Sequence, residues 1–485
     1  MTESSAGLVV SPVLVPLLAA LWVLLLPRQG WTRRVVCLAG HVVTLASSVA
    51  LLGHVRRHGP ASVAFGGWEL PFAIEFSADR VGALFVLLAA VVALAVNVSQ
   101  TRQPPDGGEQ PWALNLGFLA GANGAFLTAD LFNLYVWFEV VLMSSLGLLV
   151  WGHQVRHLDA ALRYFVLNVV GTVILLVGVS CVYAVTGHLN FAAITDAGAS
   201  VGPAALAPFA GVLIVAFLIK AAAFPVFAWL PATYHTLPTS QAALFAGIGT
   251  KLGVYALLRL AVIMPPAVTA AYGPWLGWLA VATMTTGVLG AAYHWDIRRI
   301  LAFHSISQVG YMLLGIALGT AVGIQATLVF ALHHGLVKSN LFLVGRLVGQ
   351  ATGSYDVRAV GGQYTARPWL ALIFLSQALS LIGVPPSSGF WAKLLLVRET
   401  VAQGHAVWAM GALAVGLLTL YSMLKIWVEV FWKDDPRGCT PSVAHAPDPW
   451  TLAAVIGMGV LTMGFGLYPD PVVTFAASGA AHLFG

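Results

Sequence analysis

Runs of about twenty apolar residues follow one another along this chain with little polar sequence between them. A helix of that length crosses the hydrocarbon core of a bilayer, and helical winding satisfies the backbone hydrogen bonds where water is absent. Of the 485 residues, 59% are hydrophobic and 8% charged, whereas soluble domains carry about 25% charged residues. The chain therefore reads as an all-α polytopic membrane protein. Fourteen spans are expected, at 8–26, 34–54, 78–99, 111–128, 130–151, 160–186, 206–230, 239–262, 273–294, 299–319, 321–347, 368–401, 406–432 and 450–478. The N-terminal run is expected to be the first span, not a signal peptide, because it starts acidic and leads into no soluble domain. The largest extramembrane piece is expected at 433–449.

Arginine placement orients these spans. Loops after odd-numbered spans carry Arg28, Arg33, Arg34, Arg102, Arg156, Arg298, Arg299, Arg346, Arg358, Arg367, Lys433 and Arg437. Loops after even-numbered spans carry only Arg56, Arg57, Arg259 and Arg398. Positive-inside bias predicts cytoplasmic odd loops and both termini outside. The net charge of +5 is thus an orientation signal and implies no nucleic-acid partner.

Residues 207–259 hold two apolar spans with one lysine each, Lys220 and Lys251. A charge at the bilayer centre costs a few kcal/mol, so it marks function by default. The first of these spans is broken: Pro225 and Pro231 follow Lys220, and a proline inside a helix frees a carbonyl. VPPSSGFWAK, running through Lys393 in the twelfth span, sets prolines near a Phe-Trp pair as FPVFAWLP does. The two segments lie five spans apart, so they would have opposite topology, the pattern of paired broken helices in ion transporters.

The six lysines are Lys220, Lys251, Lys338, Lys393, Lys425 and Lys433, and all but the last fall inside expected spans. The loops use arginine, which does not deprotonate in proteins, whereas lysine titrates readily when buried. This division points to proton handling. Glu139, roughly 14 Å into the fifth span, is the only acid well inside the first half; pairing with Lys220 would hold both charged. His334 and Lys338 share a helical face, which suits a relay, while His333 points away by about 100°. His304, Ser305, Ser307 and Gln308, with Thr236, Thr239 and Ser240 beside His235, either hold water or bond neighbouring helices. Lys425 lies four residues before Glu429 near a span end, where proton transfer and a structural pairing are equally open.

Cys37, Cys181 and Cys439 form no CxxC or His/Cys cluster, which argues against metal, haem or iron–sulfur ligation. There is no phosphate-binding glycine loop. No cofactor is expected.

The stretches ADLFNLYVWFEVVLMSS, LIKAAAFPVFAWLPATYHTLPTSQAALFAGIGTKLGVYALLR, WDIRRILAFHSISQVGYMLLG, LHHGLVKSNLFLVGR and LIGVPPSSGFWAKLLLV resemble the proton-conducting antiporter-like family. That family includes subunits of respiratory complex I, of membrane-bound hydrogenases and of Mrp-type cation/proton antiporters. The resemblance runs over about 75–432 and is strongest to the Mrp-type branch, on GTKLGVYALLR. It implies two inverted five-helix repeats, at 111–262 and 263–432, with broken helices 7 and 12, flanked by 1–110 and 433–485. It implies a midplane row of Glu139, Lys220, Lys251, His334 with Lys338, and Lys393. It also implies a proton-translocating transporter subunit, not an enzyme, that works in the cell membrane with other antiporter subunits on protons and Na+ or another monovalent cation. The first rival reading is a proton-pumping component of a larger complex, powered by redox chemistry elsewhere. A quinone-binding redox subunit and a structural scaffold are weaker rivals, opposed by the missing cofactor ligands and by the five buried lysines.

Overall fold

The structure is a computed structural model describing residues 3–27, 31–70, 72–101, 110–151, 155–436 and 448–484. Arg28, Arg102, Arg437, Cys439 and most of the 433–449 loop lie outside the described residues. Among the described residues, twelve helices are long and apolar enough to cross a membrane. Two more of the expected spans are the 16-residue helix Trp112–Leu127 and the broken pair Pro368–Ile382 and Ser388–Ala402.

Three local features trim or add to the expected all-α set of spans. The fourteenth span ends at Leu467, and Asp470–Phe484 is a separate helix, because Pro469 and Pro471 interrupt the apolar run. Phe191–Val201 forms an unforeseen helix, started by the Asn190 side chain accepting from the Ala192 and Ala193 N–H groups. The chain is also not wholly helical: Ala61–Ala64 pairs antiparallel with Glu75–Ala78, with Ala61 opposite Ala78.

Helix starts follow capping chemistry. Asp79, Asp130, Asp296 and Thr320 each accept a backbone N–H of the first turn, satisfying donors that have no partner within the helix. Asp79 also takes both guanidinium arms of Arg259, at 2.6 and 2.7 Å. Arg259 in turn donates to the Tyr255 hydroxyl, which donates to the Phe126 carbonyl. This ties the helix Arg80–Ser99 to Thr250–Ile263.

Both expected breaks are present. Pro203–Ala221 ends in a left-handed residue, Ala222 (φ 59°), and Pro368–Ile382 ends in another, Gly383 (φ 92°). The peptide bonds Phe224–Pro225 and Pro385–Pro386 are cis. After the first break the chain resumes as the short helix Trp229–Tyr234. A second likeness joins the same two regions. Leu131 donates its backbone N–H to the Leu189 carbonyl and Phe191 to Ala129; likewise Ile297 donates to Tyr355 and Val357 to Trp295. In each case an aspartate-capped helix start is clasped to a loop at the same separation in sequence.

Candidate functional site

Two of the intramembrane lysines, Lys251 and Lys393, donate to carbonyls at irregular backbone, a π-helical turn and a helix break. Lys220 lies in the last turn before the first break and is buried. Its amine donates to Thr172 Oγ1 at 2.9 Å and to the Asn168 carbonyl at 3.3 Å, on the helix Val155–Thr186, and lies 5.8 Å from the Phe138 ring centre. The expected contact with Glu139 is not made. Glu139 acts on Lys220 electrostatically, but Thr172 and Asn168 satisfy the amine on another helix. One Glu139 carboxylate oxygen is buried without a protein hydrogen-bond partner.

Lys251 follows a π-helical turn, Phe245–Gly249, that wedges an extra residue into the eighth span. Its amine donates to the Ala246 carbonyl in that turn, at 2.5 Å. Lys338 and His334 share the helix Ala321–Thr352 and are both fully buried. The Lys338 amine and both His334 ring nitrogens have no protein hydrogen-bond partner. Lys251 is the charge that bears on Lys338, and both lysines bear on His334.

Across the second break, Lys393 donates to the Leu381 and Ile382 carbonyls at 3.1 and 2.7 Å, and its amine lies 4.9 Å from the Tyr311 ring centre. The two histidines divide differently from expectation. His333, not His334, reaches this break: its Nδ1 lies 2.8 Å from Ser388 Oγ, which lies 2.9 Å from Ser380 Oγ. The helical rotation between the two residues is as expected, but the face bearing His333 is the one turned towards the twelfth span.

The other polar residues divide as well. His304 Nε2 lies 2.6 Å from Ser422 Oγ, while His304 Nδ1, Ser307 Oγ and both amide atoms of Gln308 have no protein partner. Ser305 bonds back to the Leu301 carbonyl, and Thr236 to Thr233. Thr239 donates to the Tyr355 hydroxyl, and Ser240 accepts from Gln100. Lys425 donates to the Ala292 and His294 carbonyls at 2.7 and 2.6 Å. It thereby caps the helix Pro266–Tyr293, where a cation complements the dipole. Glu429 pairs with Lys433, not Lys425.

Sequence reasoning missed Ser380, Ser388 and Tyr234. The serines flank the Pro-Pro break, a usable signal. Tyr234 closes the short helix after the first break, and the spacing there does not show where its hydroxyl points. Among the described residues, no group of three or more His, Cys, Asp or Glu side chains converges as a metal site would require.

Chemically, the row offers amines and imidazoles held by neutral acceptors or by no protein group at all. Buried polar groups are nearly always hydrogen-bonded, so the unpartnered ones call for water. Such a row can accept and release protons at successive positions.

Residues 128–419 match the family model for the transmembrane domain of NADH:quinone oxidoreductase and Mrp antiporter subunits. The chain is 35% identical to a Na(+)/H(+) antiporter subunit of Alkalihalophilus pseudofirmus, over 97% of this chain and 96% of the relative. It superposes on a chain of the Mrp complex from Dietzia sp. with a TM-score of 0.92 at 30% identity, covering 100% and 98% of the two chains. It also superposes on a chain of respiratory complex I from Thermus thermophilus, with a TM-score of 0.78 at 29% identity over 97% and 99%.

Proposed function

The chain belongs to the NADH:quinone oxidoreductase/Mrp antiporter family of membrane proteins, and from that premise we propose that it is the proton-translocating subunit of an Mrp-type Na+/H+ antiporter complex. The observation that carries this reading is the row Lys220, Lys251, His334, Lys338 and Lys393, without a carboxylate salt bridge to any of them among the described residues. A lysine locked to a carboxylate keeps its proton; one held by carbonyls, hydroxyls and water can give it up. Like charges disfavour one another at short range, so in a row of fully buried lysines such as Lys251 and Lys338 a proton arriving at one favours departure from its neighbour. Such coupled groups titrate as a unit, which moves a proton along the row without a large conformational change.

The two clasped helix starts and the two breaks support a pair of inverted repeats, at 111–262 and 263–432. The arginine distribution supports a cytoplasmic face at Arg298, Arg299, Arg346 and Arg358, with both termini outside the plasma membrane. Other membrane subunits of the antiporter complete the assembly, and protons and Na+ or another monovalent cation are its substrates.

The test is transport by the purified complex. The assembly copurifying with this chain, reconstituted in proteoliposomes, should acidify or alkalinise the lumen in response to an imposed Na+ gradient, with no reductant present. A complex inert to Na+ that pumps protons only when NADH or another reductant is oxidised would replace this reading with the redox-driven one.

A further inference from the structure

Between the first break and the π-helical turn lies a cavity of about 30 Å³, room for one or two waters. Lys220, Asn168, Tyr164, Tyr234 and Gly249 are among its walls. Tyr234 is fully buried, and its hydroxyl has no protein partner. A side chain at Gly249 would place its first carbon 3.7 Å from that hydroxyl, so the oxygen lies against the end of the turn that precedes Thr250 and Lys251. The hydroxyl of Thr250 is also buried without a protein partner. The Lys220 amine uses two of its three donors on Thr172 and Asn168, and Lys251 uses one on Ala246. The Tyr234 ring is clamped edge-on between Phe245 and Phe342, at 6.1 Å from each, so packing fixes the ring that carries the hydroxyl.

We propose that the Tyr234 hydroxyl is the relay between Lys220 and Lys251, a role that rests on the proton-carrying function assigned to those lysines. A phenol both accepts and donates a hydrogen bond. A proton released by the Lys220 ammonium enters the cavity through water and joins the Tyr234 oxygen as the phenol's own proton leaves towards Lys251. The phenol is neutral before and after, and the net change is one proton moved from one amine to the other. Phe138, Phe245 and Trp229, whose N–H is already donated to the Ile219 carbonyl, line the same cavity without a free polar group.

The test uses the whole complex in everted vesicles, reading the initial rate of Na+-induced ΔpH dissipation at matched assembly. Tyr234→Phe keeps the ring and its clamp and removes only the oxygen; its rate should fall at least tenfold. Tyr234→Ser removes the ring but leaves a hydroxyl and room for water, so it should transport several-fold faster than Tyr234→Phe. A purely structural tyrosine predicts the reverse order. A Tyr234→Phe rate within twofold of wild type overturns the proposal, even if Tyr234→Ser fails to assemble. Lys220→Ala and Lys251→Ala separate the two levels. If both transport normally, the proton-carrying role of the row fails; if both are inactive while Tyr234→Phe is normal, only the tyrosine relay fails.

Discussion

Lys338→Met should abolish Na+-linked proton transport while making the protein more stable. Lys338 is fully buried and its amine has no protein hydrogen-bond partner. Methionine has nearly the same length and no charged group, so it fills the space without the desolvation cost. Replacing buried charges by apolar residues of similar volume often stabilises by about 1–4 kcal/mol, and an intramembrane lysine carries a comparable penalty. Loss of a proton-transfer group costs about a hundredfold or more in rate. The check is a thermal melt of the purified complex alongside vesicle transport at matched expression. A lysine retained for structure would give the opposite pair: a lower melting temperature, with transport reduced only in proportion to the folded protein left.

Lys393→Arg should be nearly as inactive as Lys393→Ala, although it keeps the charge. The lysine amine binds the two carbonyls exposed by the second break and lies near the Tyr311 ring. A guanidinium can donate to the same carbonyls and stack on the same ring, but it does not release a proton. The arginine variant should therefore assemble and melt close to wild type, whereas Lys393→Ala leaves the carbonyls unpaired at about 1–3 kcal/mol each. Initial rates and melting temperatures of the two variants separate charge from titration. Full transport in Lys393→Arg would show that a fixed positive charge suffices at this position.

Much of this arrangement is legible in the sequence because lipid leaves few alternatives. Apolar runs must be helices, Pro225 and Pro385–Pro386 must interrupt them, and a lysine in such a run stands out against arginine-rich loops. What spacing cannot supply is the relation between helices. Glu139 and Lys220 lie on different helices, so nothing in their positions shows that the amine turns to Thr172 and Asn168. The angle between His333 and His334 follows from helical geometry, yet which of them meets the twelfth span depends on how the Ala321–Thr352 helix is rotated in the bundle. The π-helical turn before Lys251 adds a residue without a composition signal and alters which face the lysine occupies. Tyr234 escapes for the same reason: its ring neighbours, Phe245 and Phe342, come from other helices. Hydropathy overruns the end of the fourteenth span because apolar character resumes after Pro469 and Pro471, though those prolines mark the boundary.

The central claim, that the buried lysine row carries the protons, is tested most directly at an inner member, Lys251. Lys251 is fully buried, and its single hydrogen bond goes to a carbonyl of its own helix. The measurement is Na+-driven proton flux in proteoliposomes holding the complete complex with Lys251→Met, with assembly confirmed by copurification of the other subunits. The account predicts an assembled complex with no flux above the protein-free leak. Flux at the wild-type rate from that variant would contradict it.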